Sequence, residues 1–184
     1  DGKSVYELMR DEKVTLALGV PTVWLMLFQH VDANRLVPRD DLCVERVVIG
    51  GSAAPRAMCE KFETQFGAFV VHAWGMTEMS PLGTVCNLLP KHREYSLDQR
   101  LNLQVKQGRA IYGVDMKITD DDGNRLPHDG KAFGHLLVRG PWVTRGYLKG
   151  EGGEILDAEG FFDTGDVATI DPDGYMQITD RSKD

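Results

Sequence analysis

The sequence is short of cysteine, of positive charge and of long apolar runs. Its three cysteines, Cys43, Cys59 and Cys86, are odd in number and widely spaced, with no Cys-x-x-Cys pair. That excludes a disulfide scaffold and a cysteine-ligated zinc site, and leaves the thiols as small apolar core residues. Lys and Arg number 21 against 28 Asp and Glu, a formal net charge of −7. No basic run reaches five residues, so the counterion-releasing surface that drives nucleic-acid binding is missing. No apolar stretch approaches the roughly 20 residues that span a bilayer, and no basic-then-apolar leader opens the chain. These absences point to a cytoplasmic protein with no transmembrane segment and no nucleic-acid partner.

What is present suits a globular α/β protein: 184 residues, 42% hydrophobic and 27% charged, enough for a real core. The chain opens at Asp1 without a methionine and closes on the charged run 180–184, as an excised piece of a longer protein would. In the first half, apolar runs alternate with helical stretches. Residues 14–20 predict a strand buried on both faces, followed by a helix from Pro21 through about His30. Residues 46–49 predict a second buried strand, then a small-residue loop, then a helix opened by Pro55 with Met58, Phe62 and Phe66 on one face. Residues 69–71 begin a third strand. Residues 91–106 are polar, a helix or an ordered connection. Beyond them, short alternating strands at 115–118, 135–139, 167–170 and 175–178 are joined by Asp/Gly turns and predict a small barrel-like unit. The expected organisation is an α/β portion over 1–104 and a β-rich subdomain over 105–180.

Three clusters carry candidate chemistry. Gly50 through Pro55 places small residues at a strand's carboxyl end, where open α/β sheets bind ligands and a ring or phosphate can approach the backbone. A plain tight turn fits the same residues. Trp74-Gly75-Met76-Thr77-Glu78 offers a stacking face, a hydroxyl and a carboxylate, groups suited to a purine, a phosphate oxygen and Mg²⁺. Its structural alternative is a core tryptophan, with Thr77 capping a helix whose first turn holds Glu78. Gly160 through Asp166 sets an acceptor carboxylate, Asp166, on a tight glycine turn, able to take the hydroxyls of a ribose or merely to brace the turn. The acidic turn at 120–124 lacks the bidentate glutamate of a calcium loop. The five histidines show no metal-ligand spacing, and Gly-x-Ser-x-Gly is absent.

Taken together and in this order, the clusters resemble the adenylate-forming superfamily of acyl-CoA synthetases, peptide-synthetase adenylation domains and luciferases. The resemblance rests on Gly19-Val20-Pro21-Thr22-Val23-Trp24, Gly51-Ser52-Ala53-Ala54-Pro55 and Trp74-Gly75-Met76-Thr77-Glu78. It continues through Gly134 to Pro141 with Gly146-Tyr147, then Thr164-Gly165-Asp166 and the run 180–184. It implies part of an AMP-binding N-terminal domain, an α/β layer followed by the barrel-like subdomain, with 181–184 forming the hinge to a C-terminal domain. By that resemblance Gly51, Ser52, Ala53, Ala54 and Pro55 form the adenine-side loop, with Gly75 and Met76 also at the nucleotide. Trp74 packs on adenine, where tyrosine is commoner. Thr77 contacts the α-phosphate, Glu78 binds Mg²⁺, Asp166 and Arg181 hold the ribose, and Lys183 is the hinge residue. Val20 and Trp24 belong to the acyl pocket and its gate, although Trp24 equally suits the core of an amphipathic helix. His135 replaces a usual glutamate.

The pattern is most similar to bacterial medium- and long-chain fatty acid–CoA ligases. The implied reaction takes a small-molecule carboxylic acid, ATP and CoA to acyl-CoA, AMP and pyrophosphate. The resemblance also allows a homodimer, a ligase for methylmercaptopropionate, aryl or amino acids, or a non-catalytic nucleotide-binding module. It places a phosphate loop upstream of Asp1 and a catalytic lysine after Asp184, so the chain alone is expected to be inactive.

Overall fold

In the computed structural model, which describes residues 1–181 with side chains to Thr179, the chain forms two compact units. One comprises 1–73 with 87–105, the other 74–86 with the residues from 106 on.

The first unit opens with α1 (Gly2–Asp11), a helix the strand-and-helix alternation did not reveal. Asp1 caps it by accepting the Ser4 N–H at 2.8 Å, and its buried side chains are Tyr6 and Met9. Then come β1 (Leu16–Gly19), α2 (Pro21–Asn34), the single turn α3 (Pro38–Asp41) and β2 (Arg46–Ile49). They are followed by α4 (Arg56–Lys61), β3 (Phe69–Gly75) and α5 (Leu97–Gln104). A π-turn at Phe62–Phe66 prolongs α4. Strands β1, β2 and β3 pair in parallel, with Leu18 opposite Val48 and Val47 opposite Val70. Val47, Ile49 and Val70 are fully buried beside Leu27, Phe62 and Phe66. The rings of Phe28, Phe62 and Phe66 meet at centroid distances of 4.9 to 5.6 Å. Each such buried side chain contributes about 1.5–3 kcal/mol, which makes this cluster the anchor of the layer. The polar stretch 91–106 contains α5, started by a capping box in which Ser96 Oγ accepts the Gln99 N–H and Gln99 answers the Ser96 N–H.

One expectation needs correcting here. The first strand is not buried on both faces: Leu16 is 51% and Leu18 69% exposed. β1 stands at the sheet edge, so only part of its surface is covered, and a run of apolar residues cannot by itself distinguish an edge from a centre.

In the second unit, β4 (Leu82–Val85) pairs antiparallel with β5 (Arg109–Ala110). The barrel-like part is a four-stranded antiparallel sheet of β6 (Asp115–Thr119), β7 (Phe133–Arg139), β8 (Phe162–Ile170) and β9 (Met176–Arg181), paired in sequence order. Ile118, Leu136, Val138, Ala168 and Met176 form its core. The predicted hairpin turn at 171–174 is present, with Asp171 Oδ1 accepting the N–H groups of Asp173 and Tyr175.

A second correction concerns Thr164-Gly165-Asp166. These residues make no turn between elements; they lie inside β8. His135 pairs with Val167 and Leu137 with Asp163, so three residues of β8 oppose the single Leu136. That is an enlarged β-bulge, the device by which a strand re-aims a side chain. Gly165 takes a φ of +75° there, a region that favours glycine.

Candidate active site

The small-residue loop belongs to the first unit. It leaves the carboxyl end of β2, with Gly51 at φ +79° and Val20 Cγ1 only 3.1 Å from where a Cβ would stand. Gly51, Ser52, Ala53 and Pro55 are exposed, as is Val20, whereas Ala54 is buried. The Ala54 N–H donates to Nε2 of His72 at 3.4 Å. His72 is buried on β3, in register with Ile49, so the strand beside the loop supplies its support. Trp24 lies inside the core, edge-on to Phe62 at 5.4 Å, its indole N–H donating to the Gly19 carbonyl at 3.2 Å. A Cβ on Gly19 would stand 2.7 Å from the indole. The core alternative for Trp24 is therefore the packing observed.

Trp74 through Glu78 belong to the second unit. β3 ends at Gly75, Met76 is extended, and Thr77–Met79 make one 3₁₀ turn. The expected helix cap does not form. Thr77 is exposed, and its hydroxyl has no hydrogen-bond partner among the described residues. Gly75 is required sterically: a Cβ there would fall 1.8 Å from the Pro81 carbonyl oxygen, which accepts the Met76 N–H at 2.8 Å. One face of the indole of Trp74 rests on Gly83, where a Cβ would come within 2.7 Å of the ring.

Trp74 Nε1 donates to Asp166 Oδ2 at 3.1 Å across 92 residues of sequence. The bulge that aims Asp166 is internally wired. Thr164 Oγ1 donates to the Leu136 carbonyl at 2.8 Å, Gly165 N–H to Asp163 Oδ1 at 2.9 Å, and Asp166 N–H to Thr164 Oγ1 at 3.1 Å. Asp166 also sits opposite Arg181 in the β8–β9 register. The structure thus gathers Trp74, Asp166 and the backbone of Arg181, with Glu78 one short turn beyond Trp74. Lys183 lies outside the described residues.

The turn that precedes the bulge is clamped by charge. Lys117, 4% exposed, donates to Asp157 and to Glu159, and stands 4.5 Å over the ring of buried Phe161. Burial works against the charged form of Asp157, yet Lys117 and the N–H groups of Phe161 and Glu159 hold its carboxyl below the usual carboxylate range. His135 places Nε2 3.1 Å from Asp121 Oδ1, a neighbour that a glutamate at 135 would repel.

Tyr147 was visible in the sequence only as part of a glycine-tyrosine pair. Its hydroxyl donates to Glu78 Oε1 at 2.8 Å, and that hydrogen bond raises the phenol above its ordinary value. Its role, like that of His72, depends on a contact across the fold, which no local pattern announces. Among the described residues there is no group of three His, Cys, Asp or Glu that could enclose a metal. A lone carboxylate such as Glu78 fits Mg²⁺ of the kind that relies on substrate phosphates and water for its remaining ligands.

ATP-bound MatB from Rhodopseudomonas palustris superposes with a TM-score of 0.80 at 28% identity, over all of this chain and 34% of that one. The profile of the AMP-binding enzyme family matches residues 1–148, and the chain belongs to that family. It is 50% identical over 183 residues to the 3-methylmercaptopropionyl-CoA ligase of Ruegeria lacuscaerulensis. It is 47% identical over 184 residues to the medium-chain-fatty-acid–CoA ligase of Ectopseudomonas oleovorans. All of this chain is covered in each comparison, and it spans 33% of the length of both relatives.

Proposed function

We propose that this chain is part of an ATP-dependent, AMP-forming acyl-CoA ligase working in the cytoplasm. The carboxylate attacks the α-phosphorus of ATP and displaces pyrophosphate; the CoA thiol then attacks the acyl carbon and AMP leaves. A free carboxylate is a poor electrophile, and the mixed anhydride with AMP supplies the leaving group it lacks. The observation that supports the reading is the Trp74–Asp166 hydrogen bond, which brings together two residues 92 positions apart that the reading assigns to adenine and to ribose.

In this reading Trp74 offers its ring to adenine, Gly51–Pro55 is the adenine-side loop, and Asp166 and Arg181 take the ribose hydroxyls. The exposed hydroxyl of Thr77 serves the α-phosphate. Glu78 would hold Mg²⁺, which supplies charge neutralisation on the phosphates. Donors fixed before the reaction stabilise the charge that develops on the phosphoryl oxygens. Val20, the N-cap of α2, lies on the acyl side in this reading. The names of the two relatives support two acid classes, medium-chain fatty acids and short thioether acids. The test is pyrophosphate release by the full-length protein across a panel of medium-chain, thioether, aryl and amino acids. Turnover with either of the first two is expected, and is lost in Glu78→Ala. Turnover confined to amino acids, or none at all, sinks the proposal.

A further inference from the structure

Glu78 is held at two points by one short segment. Its backbone carbonyl accepts the Thr144 N–H at 2.7 Å, and its side-chain Oε1 accepts the Tyr147 hydroxyl at 2.8 Å. The segment is itself braced. Thr144 Oγ1 donates to the Gly146 carbonyl at 3.0 Å, Ser80 Oγ donates to the Trp142 carbonyl at 3.2 Å, and Val143 is buried in the core beside them. Residues 142–147 thus grip residues 78–80 from a distance of more than 60 positions in sequence.

Tyr147 is 42% exposed, so its hydroxyl could be satisfied by water, and a surface contact of this kind adds little to folding. What the contact does fix is the carboxylate. With Oε1 committed to the phenol, Oε2 has no partner among the described residues and is the oxygen left for a ligand. Mg²⁺ takes one or two carboxylates and completes its octahedron with phosphate and water. Where only one carboxylate is available, its orientation governs the protein's share of the affinity. Hydrogen-bond partners of ligating groups are worth roughly 10- to 100-fold in metal affinity.

We infer that Tyr147 is a positioning residue that fixes Glu78 as a one-oxygen ligand for the divalent cation. The inference rests on the reading of Glu78 as the metal ligand. It is tested on the full-length ligase by calorimetry with α,β-methylene ATP, with and without Mg²⁺, for the unchanged protein, Tyr147→Phe and Glu78→Gln. The readout is the gain in nucleotide affinity that Mg²⁺ brings. Tyr147→Phe is expected to cut that gain roughly tenfold, leaving the metal-free affinity and the melting temperature unchanged, and excess Mg²⁺ is expected to restore its kcat. Glu78→Gln is expected to abolish the gain. An undiminished gain in Tyr147→Phe, with the gain lost in Glu78→Gln, overturns the role of Tyr147 alone. An undiminished gain in Glu78→Gln overturns the metal assignment and the inference with it. Loss of metal-free affinity in Tyr147→Phe, or failure of excess Mg²⁺ to restore its kcat, shows a structural role and overturns the positioning one.

Discussion

Tryptophan at position 74 combines two properties: a wide stacking face and an N–H donor in the plane of the ring. The structure uses the donor, which binds Asp166, and supports one face on Gly83. Trp74→Phe retains an aromatic surface and deletes the donor. Hydrogen bonds to charged groups contribute about 1.5–3 kcal/mol, so the substitution is expected to raise the KM for ATP about tenfold or more in the full-length enzyme. Steady-state kinetics at saturating acid and CoA checks this, and an unchanged KM would show that the pair does not serve the nucleotide. Residue type and neighbourhood marked Thr77, Glu78 and Asp166 as candidates, each with a plain structural alternative, and only the family resemblance gave them roles. The parts of Tyr147 and His72 were not legible, because each acts through a partner, Glu78 or Ala54, that the sequence places elsewhere.

Elements were legible where their pattern is local. The helix α2 and the strands β2 and β3 follow from spacing and composition, and the structure keeps them; the polar stretch 91–106, left open between helix and connection, holds α5 with its capping box. Cys43, expected in the core with the other two thiols, is exposed, and two further misjudged features are set by position in the sheet. β1 has the composition of a central strand but stands at the edge, and Thr164-Gly165-Asp166 looks like a turn because a glycine in the left-handed region marks turns and bulges alike. The missed helix α1 carries an inward stripe of only Tyr6 and Met9, too sparse to stand out. At the end of β3, Gly75→Ala would drive a methyl group into the Pro81 carbonyl. The overlap must be relieved by moving the backbone that accepts the Met76 N–H, a cost of about 3 kcal/mol. A fall in melting temperature of roughly 3 °C is expected for a protein of the relatives' length, and differential scanning calorimetry of the full-length variant measures it. A fall below 2 °C would mean that the turn at Thr77–Met79 yields more easily than its packing implies.

At the scale of the whole chain, the net charge of −7 is a poor match for the proposed handling of ATP and CoA, both of them polyanions. The family resemblance places a phosphate loop and a catalytic lysine in the remaining two-thirds of a full-length ligase. These 184 residues alone are therefore expected to show no pyrophosphate exchange with any carboxylic acid. Exchange above background in an isotope assay, with ATP and a medium-chain acid both present, would place the phosphate-handling groups within this chain. The edge strand bears directly on how such an assay is interpreted. Leu16 and Leu18 lie exposed along a strand that has one neighbour among the described residues, a template for pairing one copy with another. A silent sample counts as inactivity only once light scattering shows it to be monodisperse; otherwise the silence records self-association.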